Sequence, residues 1–147
     1  MKVKECMSLN PIYVSEECTI DEVAKLMSDN HIGVIPVCDE AKNILGIVTD
    51  RDIILRSIAC DKDVRQTPIT EIMSKDVIVA TADLTVSEVA KKMQDNQVRR
   101  IPVTENNQLV GMITTGDLAK EDKIGGKELA NTMECICECQ GQIKNAE

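Results

Sequence analysis

The chain contains one sequence pattern twice. Residues 3–53 are echoed by residues 69–118, at an offset of 66 residues that shortens to 65 after Pro102. A repeat of this length restricts the fold, because both copies must form the same unit, and two copies make a pseudo-symmetric pair rather than a solenoid. The clearest matches are Met7-Ser8 with Met73-Ser74, Glu22-Val23-Ala24-Lys25 with Glu88-Val89-Ala90-Lys91, and Ile35-Pro36-Val37 with Ile101-Pro102-Val103.

Each copy predicts the element order β-α-β-β-α. In the first copy, Thr19 and Glu22 form a capping box, and apolar residues at helical spacing predict a helix over 20–30. An extended piece at 12–14 precedes this helix. Strands at 32–38 and 44–49 follow it, and a second helix is predicted from 50 to about 59. The fold class is therefore α+β, with two β-α-β-β-α repeats packed as a pseudo-two-fold pair.

The repeat also divides the chain into segments. We place the first repeat at 1–60, a polar linker at 61–68, the second repeat at 69–121 and a C-terminal tail at 122–147. Pro36 and Pro102 lie inside strand-like runs, which predicts that these strands are edge strands or carry a bulge there. In the tail, 128–139 is expected to form a short helix with Leu129, Met133 and Ile136 on one face.

Composition excludes several functions. A net charge of −8 argues against binding to nucleic acid or anionic membranes, and one Tyr without Phe or Trp removes the usual platforms for stacking bases. No apolar run approaches a membrane span, and the N-terminus lacks the apolar core of a signal peptide, so we expect a cytoplasmic protein. The sequence contains no nucleophile elbow, Walker loop or dinucleotide fingerprint, so we expect no enzymatic activity.

The most specific motif is the heptad GIVTDRD at 46–52, which recurs as GMITTGD at 111–117. A strand that ends in Thr and opens a helix with Asp places a hydroxyl and a carboxylate side by side. Such a carboxylate can accept both protons of a ribose diol. The alternative is a plain helix cap, in which the acid satisfies backbone N–H groups. Both roles can coexist in one residue.

With these motifs in register, the chain resembles a pair of CBS domains, the family named after cystathionine beta-synthase. The resemblance covers residues 3–118. It implies regulatory domains without chemistry of their own, and clefts for adenosine-containing ligands such as AMP, ADP, ATP or S-adenosylmethionine. It also implies a homodimer of two such pairs. No obligatory cofactor follows from it, and the sequence names no effector protein.

The resemblance also implies which residues bind the ligand. One cleft would use Thr114 and Asp117, with basic side chains at Arg99 and Arg100 reaching the phosphates; its other members would be Ser8, Ile12, Ile32 and Gly33. The mirror cleft would use Thr49, Asp52, Ser74, Ile78, Val98 and Arg99. The repeats differ here, because Gly33 and Val34 stand where the second copy has the two arginines, and Asp50 adds negative charge. We therefore expect the Thr114–Asp117 cleft to be the better site.

The seven cysteines are expected to be reduced thiols. Cys6, Cys18, Cys38 and Cys60 are interpreted as small apolar side chains. Cys135, Cys137 and Cys139 form C-x-C-x-C in the tail, which could ligate zinc or copper(I), although an ordinary terminal helix is the alternative. Two functional hypotheses follow from the sequence: a nucleotide sensor, or a structural or interaction module with vestigial clefts and the tail as its contact surface. A metal or thiol sensor based on the tail is a further alternative.

Overall fold

The structure is a computed structural model that describes residues 1–120 and 125–142, with side chains described for 1–120 and 125–137. The α+β class and the predicted β-α-β-β-α order are confirmed in both copies. The first copy contains β2 (Val14–Ser15), α1 (Ile20–Asn30), β3 (Val34–Cys38), β4 (Ile44–Thr49) and α2 (Asp50–Arg56). The second contains β5 (Ala80–Thr81), α3 (Val86–Asn96), β6 (Arg100–Glu105), β7 (Gln108–Thr114) and α4 (Thr115–Lys120). Strand β1 (Ser8–Leu9) precedes them and helix α5 (Gly126–Gln142) follows.

Helices α1 and α3 begin and end by the same devices. Thr19 and Thr85 each accept from the backbone N–H three residues on, while the carboxylates of Glu22 and Glu88 accept from the threonine N–H groups. The hydrogen bond from the Thr85 N–H holds the pKa of Glu88 below its usual value. Both helices end at a residue with a left-handed backbone, His31 at φ 52° and Gln97 at φ 55°.

Helix α2 is shorter than predicted. It ends at Arg56, and a 3-10 turn over Ile58–Cys60 continues the segment that the sequence assigns to one helix. The buried hydroxyl of Ser57 donates to the carbonyl oxygen of Ile53. A serine that bonds back to the preceding turn competes with the regular helix ladder at that point.

The two prolines lie in middle strands, so the expectation of edge strands is wrong. The sheet orders are β2-β3-β4 and β1-β7-β6-β5, which puts β3 and β6 between two neighbours. The short parallel strand β2 pairs only with Val37 and Cys38, beyond Pro36, and the register shifts between these two residues. The missing N–H of Pro36 therefore breaks no ladder on that side.

The repeats exchange their first segments. Ser8 pairs with Met112 of β7. Ser74 forms the matching bridge with Ile47 of β4, in which the Ser74 N–H donates to the Ile47 carbonyl and the Ile47 N–H to the Ser74 carbonyl, with nitrogen–oxygen distances of 2.8 and 2.9 Å. A glycine permits each contact. A Cβ on Gly111 would lie 2.7 Å from Met7 Sδ, and one on Gly46 would lie 2.5 Å from Met73 Sδ. The Met-Ser dipeptide of one copy thus packs on the heptad glycine of the other.

Because of this exchange, the compact units do not follow the segments in chain order. Unit 1 comprises Met1–Pro11, Ile78–Asn106 and Val110–Glu147, and unit 2 comprises Ile12–Val77 and Asn107–Leu109. Each unit has its own buried apolar cluster. The cluster of unit 1 is centred on Ile101, Ile113 and Leu118, and that of unit 2 on Ile35, Val48 and Ile72.

Helix α5 is longer than the predicted tail helix and belongs to unit 1. Of the predicted apolar face, Ile136 is buried in the cluster of that unit and Leu129 packs against it, while Met133 is half-buried and is not part of that cluster. Thr132 is fully buried, and its hydroxyl oxygen accepts from Gln94 Nε2 of α3 at 2.7 Å. Within the described part of the chain, no helix combines the length and apolar character needed to cross a bilayer.

Candidate functional site

Each heptad forms a junction between a strand and a short helix. In unit 1, Thr114 ends β7, and Asp117 lies in the first turn of α4. The Thr114 N–H and hydroxyl both donate to Asp117 Oδ2, at 2.9 and 2.8 Å, and the Asp117 N–H donates back to the hydroxyl at 3.1 Å. Thr49 and Asp52 form the same reciprocal pair in unit 2, at 2.9 and 3.1 Å.

The cap interpretation of the heptad is therefore correct in both units. Binding by the same aspartate remains compatible with it in unit 1, because the cap uses only one carboxylate oxygen of Asp117. Among the described residues, no donor pairs with its second oxygen, Oδ1. An ionised carboxylate has about four acceptor positions, so Asp117 retains the capacity to accept from a ligand hydroxyl.

Unit 1 brings several predicted residues to this junction. The carbonyl oxygen of Arg99 accepts from the Thr115 N–H at 2.9 Å, so the arginine lies beside the first residue of α4. Arg99 and Arg100 are both exposed, and neither guanidinium is paired with a carboxylate in the described part of the chain. Ser8, also exposed, lies opposite Met112, two residues before Thr114. The junction thus combines the Asp117 carboxylate with the Thr114 hydroxyl, and the Arg99 backbone contacts it at Thr115.

The junction of unit 2 carries different chemistry. Asp50 lies over Gly33, and its Oδ2 would be 2.9 Å from a Cβ at that position. Arg56 Nε lies 3.6 Å from Asp52 Oδ1, and Arg56 Nη1 donates to Ser74 Oγ at 3.3 Å and to the Ile72 carbonyl at 3.2 Å. Both carboxylate oxygens of Asp52 are therefore engaged within the unit.

The remaining predicted residues belong to the other unit in each case. Ile12, Ile32 and Gly33, assigned to the Thr114–Asp117 cleft, are part of unit 2, while Ile78 and Val98, assigned to the mirror cleft, are part of unit 1. Their role in ligand binding stays a prediction.

The tail thiols are only partly described. Cys135 and Cys137 lie on α5, where residues two apart point about 200° apart around the axis. Cys135 is half-buried and Cys137 exposed, while the Cys139 side chain lies outside the described residues. The described side chains contain no group of three or more metal ligands. Elsewhere, burial raises the pKa of the Cys38 thiol to about 11, in keeping with its interpretation as an apolar side chain.

Sequence reasoning missed Arg56. Its spacing of four residues from Asp52 is visible in the sequence and predicts an ion pair along the helix. Its contact with Ser74 is tertiary, however, and no local sequence pattern predicts it.

Two α+β units with a threonine–aspartate junction in each define a protein built from a tandem repeat. The chain belongs to the CBS domain family, whose model matches residues 3–58 and 69–123. Pairs of these domains are regulatory modules.

Sequence and structure comparisons agree with this assignment. The chain is 38% identical over 117 residues to the CBS domain-containing protein YhcV of Bacillus subtilis, which covers 80% of this chain and 82% of that protein. It resembles the CBS domain pair of protein MJ0100, solved with 5′-methylthioadenosine and S-adenosyl-L-methionine, at 32% identity and a TM-score of 0.73 over 82% of this chain and 98% of the other. It also resembles Hypoxic Response Protein I, solved with two coordinated zinc ions, at 28% identity and a TM-score of 0.76, again covering 82% and 98%.

Proposed function

We propose that this protein is a regulatory sensor of an adenosine-containing ligand, with the Thr114–Asp117 junction of unit 1 as its main binding site. The observation that carries the proposal is the difference between the two aspartates. Asp117 keeps one carboxylate oxygen without a donor among the described residues, and the Arg99 backbone contacts its helix at Thr115, whereas both oxygens of Asp52 have contacts within unit 2. The relative MJ0100 supports the ligand class, because it was solved with two adenosine-containing compounds.

The ribose and the charged part of such a ligand have candidate partners in unit 1. The ribose diol can donate to Asp117 Oδ1, and the side chains of Arg99 and Arg100 can pair with phosphate oxygens or with the carboxylate of S-adenosylmethionine. The near absence of aromatic residues means that the adenine ring would pack against aliphatic side chains. The ligand acts here as a signal and undergoes no reaction.

A thermal-shift panel tests this function. The compounds are AMP, ADP, ATP, S-adenosylmethionine, NADH and cyclic di-AMP. A ligand that binds only the native state at a concentration of a hundred times its Kd stabilises it by about 2.7 kcal/mol. For a chain of this size that corresponds to a rise in melting temperature of about 5 to 10 °C. A panel in which no compound raises the melting temperature would contradict the sensor function.

A second candidate, a protein-interaction module with vestigial clefts, is favoured by an exposed apolar patch on unit 2. The patch consists of Ile54, Leu55 and Ile58, which are 55%, 49% and 61% exposed. Large apolar side chains clustered at the surface mark interaction sites. We propose that the patch forms a homodimer contact, which either function can use.

A role of the tail thiols in zinc or copper(I) binding remains a separate proposal, tested by metal analysis of protein purified under reducing conditions.

A further inference from the structure

The side chain of Arg56 joins two residues that the family resemblance assigns to the ligand. In unit 2 its guanidinium lies 3.6 Å from Asp52 Oδ1 and donates to Ser74 Oγ at 3.3 Å. A third contact, to the Ile72 carbonyl at 3.2 Å, fixes the guanidinium against the segment that carries Ser74. One cation therefore bridges helix α2 and the exchanged Met73-Ser74 segment.

This bridge uses the groups that a ligand would need. Asp52 Oδ2 already accepts from the Thr49 N–H at 2.9 Å, so the contact with Arg56 occupies the remaining oxygen. A ribose diol must donate to a carboxylate that has free acceptor positions. In unit 2 the guanidinium lies against Oδ1, the oxygen that the cap leaves over, so a diol reaches that oxygen from this side only when the guanidinium moves away.

The second repeat has no equivalent of this bridge in its sequence. The residue at the position of Arg56 is Glu121, which lies outside the described residues. A glutamate carries no positive charge and, when ionised, donates no hydrogen bond, so it cannot replace an arginine between a carboxylate and a hydroxyl.

We propose that Arg56 is a built-in occupant of the unit 2 junction, which makes the two junctions bind an adenosine-containing ligand with unequal affinity. The inference rests on the proposed function, and it adds the residue that sets the difference. The Arg56 side chain is 52% exposed, so it can leave Asp52 and point into water without a major change in packing. The occupant is therefore displaceable, and unit 2 responds at higher ligand concentration than unit 1.

The difference in affinity between the two junctions depends on the fraction of time that the Arg56 guanidinium spends away from Asp52. The apparent affinity of a site falls by the fraction of time in which it is competent to bind. If the bridge is formed 90 to 99% of the time, the affinity of unit 2 falls by about ten- to a hundredfold.

The test is a calorimetric titration with adenosine and with AMP in a background that silences unit 1. Asp117→Ala alone should leave only weak binding. Adding Arg56→Met, which keeps an apolar stem but removes the guanidinium, should raise the remaining affinity for adenosine about tenfold or more. Arg51→Met in the same background is the matched control, because it removes an exposed arginine from the same helix and should raise nothing. Arg56→Lys should give an intermediate affinity, since one ammonium cannot span the three acceptors in the same geometry.

The outcomes separate this inference from the proposed function. If the unmutated protein binds and Arg56→Met leaves the affinity of unit 2 unchanged or lowers it, the inference is wrong and the sensor function stands. A lower affinity for AMP alone would make Arg56 a phosphate-binding residue and would equally overturn the inference. If the unmutated protein does not bind but Arg56→Met does, the occupant is real and the assignment of the main site to unit 1 is wrong. If no variant binds either compound, both are overturned.

Discussion

The threonine–aspartate pairs show how one side chain can serve folding and binding together. In both units the aspartate closes a helix start, and the distances in the two caps are nearly the same. The surroundings of the second carboxylate oxygen differ, since Arg56 takes it in unit 2 and no described residue takes it in unit 1. A difference in function between the junctions therefore arises from residues other than the Thr–Asp pair, such as Arg56 and Asp50 in unit 2.

This symmetry of the caps makes a matched pair of substitutions possible. Asp117→Ala should weaken binding of AMP by about ten- to a hundredfold, because losing a hydrogen bond to a charged group costs about 1.5 to 3 kcal/mol. Asp52→Ala removes the same kind of cap and should leave the main binding event unchanged. Calorimetric titration of both variants, after circular dichroism has shown that they are folded, decides the matter. Equal loss in the two variants contradicts an unequal pair of sites.

The heptad glycines allow a second prediction at this scale. Gly111→Ala should destabilise the protein by about 1 to 3 kcal/mol, because the new methyl group would collide with Met7 Sδ and with the Ser8 carbonyl, 3.0 Å away. Gly116→Ala is the control in the same heptad. Its Cβ would meet only Thr114 Oγ1 at 3.4 Å, and in an exposed helical position alanine should stabilise by about 0.5 kcal/mol. Urea unfolding of both variants measures the change in the free energy of unfolding, which should fall for Gly111→Ala and rise for Gly116→Ala. An unchanged value for Gly111→Ala would mean that the exchanged segment is not packed against β7.

Among the elements, those specified by short-range patterns are the ones that the sequence predicts well. A capping box and apolar residues at helical spacing predict α1 at the residues where it is found, and a strand-like apolar run does the same for β4. The end of α2 is not predictable in this way, because it depends on a hydroxyl bond of Ser57 to the preceding turn. A proline in β3 and in β6 predicts an edge strand or a bulge, but both are middle strands, because their short parallel neighbours β2 and β5 pair only beyond the proline.

Helix α5 is the element whose packing is most readily tested. Ile136 is only 3% exposed and lies in the apolar cluster of unit 1, so Ile136→Ala should cost about 2 to 5 kcal/mol in that unit. Glu134→Ala, at an exposed position of the same helix, should change stability by less than about 0.5 kcal/mol. Hydrogen exchange read separately for α3 and α1 gives the check. Protection should fall in α3 and persist in α1, and an unchanged α3 would show that α5 contributes no stability to its unit.

At the scale of the whole molecule, we expect a homodimer that forms through the patch on unit 2. Light scattering at micromolar concentration should give twice the 16.2 kDa mass of the chain. Replacing Ile54 and Ile58 together by Lys should yield the monomer, because burying two ammonium groups at an interface is costly. Leu9→Lys, at a residue of β1 that is 66% exposed, is the control and should leave the mass unchanged. A monomer for the unmutated protein contradicts the expectation.

The exchange of Met7-Ser8 and Met73-Ser74 marks the limit of what the repeat could predict. The two dipeptides are identical, and so are the glycines that they contact, so the sequence cannot tell which glycine each dipeptide faces. Only long-range strand pairing decides this, and it leaves no local pattern. The same holds for the contact of Arg56 with Ser74, which joins residues that the sequence places in different copies.

The exchange also sets the order in which the units can be completed during synthesis. Ser8 and Leu9 are translated about a hundred residues before their partners, Met112 and Gly111. At about 5 to 20 residues per second, the first segment waits roughly 5 to 20 seconds on the ribosome for its strand. Residues 12–77 supply nearly all of unit 2 well before this, whereas unit 1, which contains residues 1–11 as well as 110–120, is completed later. A nascent chain stalled before Gly111 would therefore hold Ser8 and Leu9 without their strand partners, open to chaperones or to a neighbouring nascent chain on the same message.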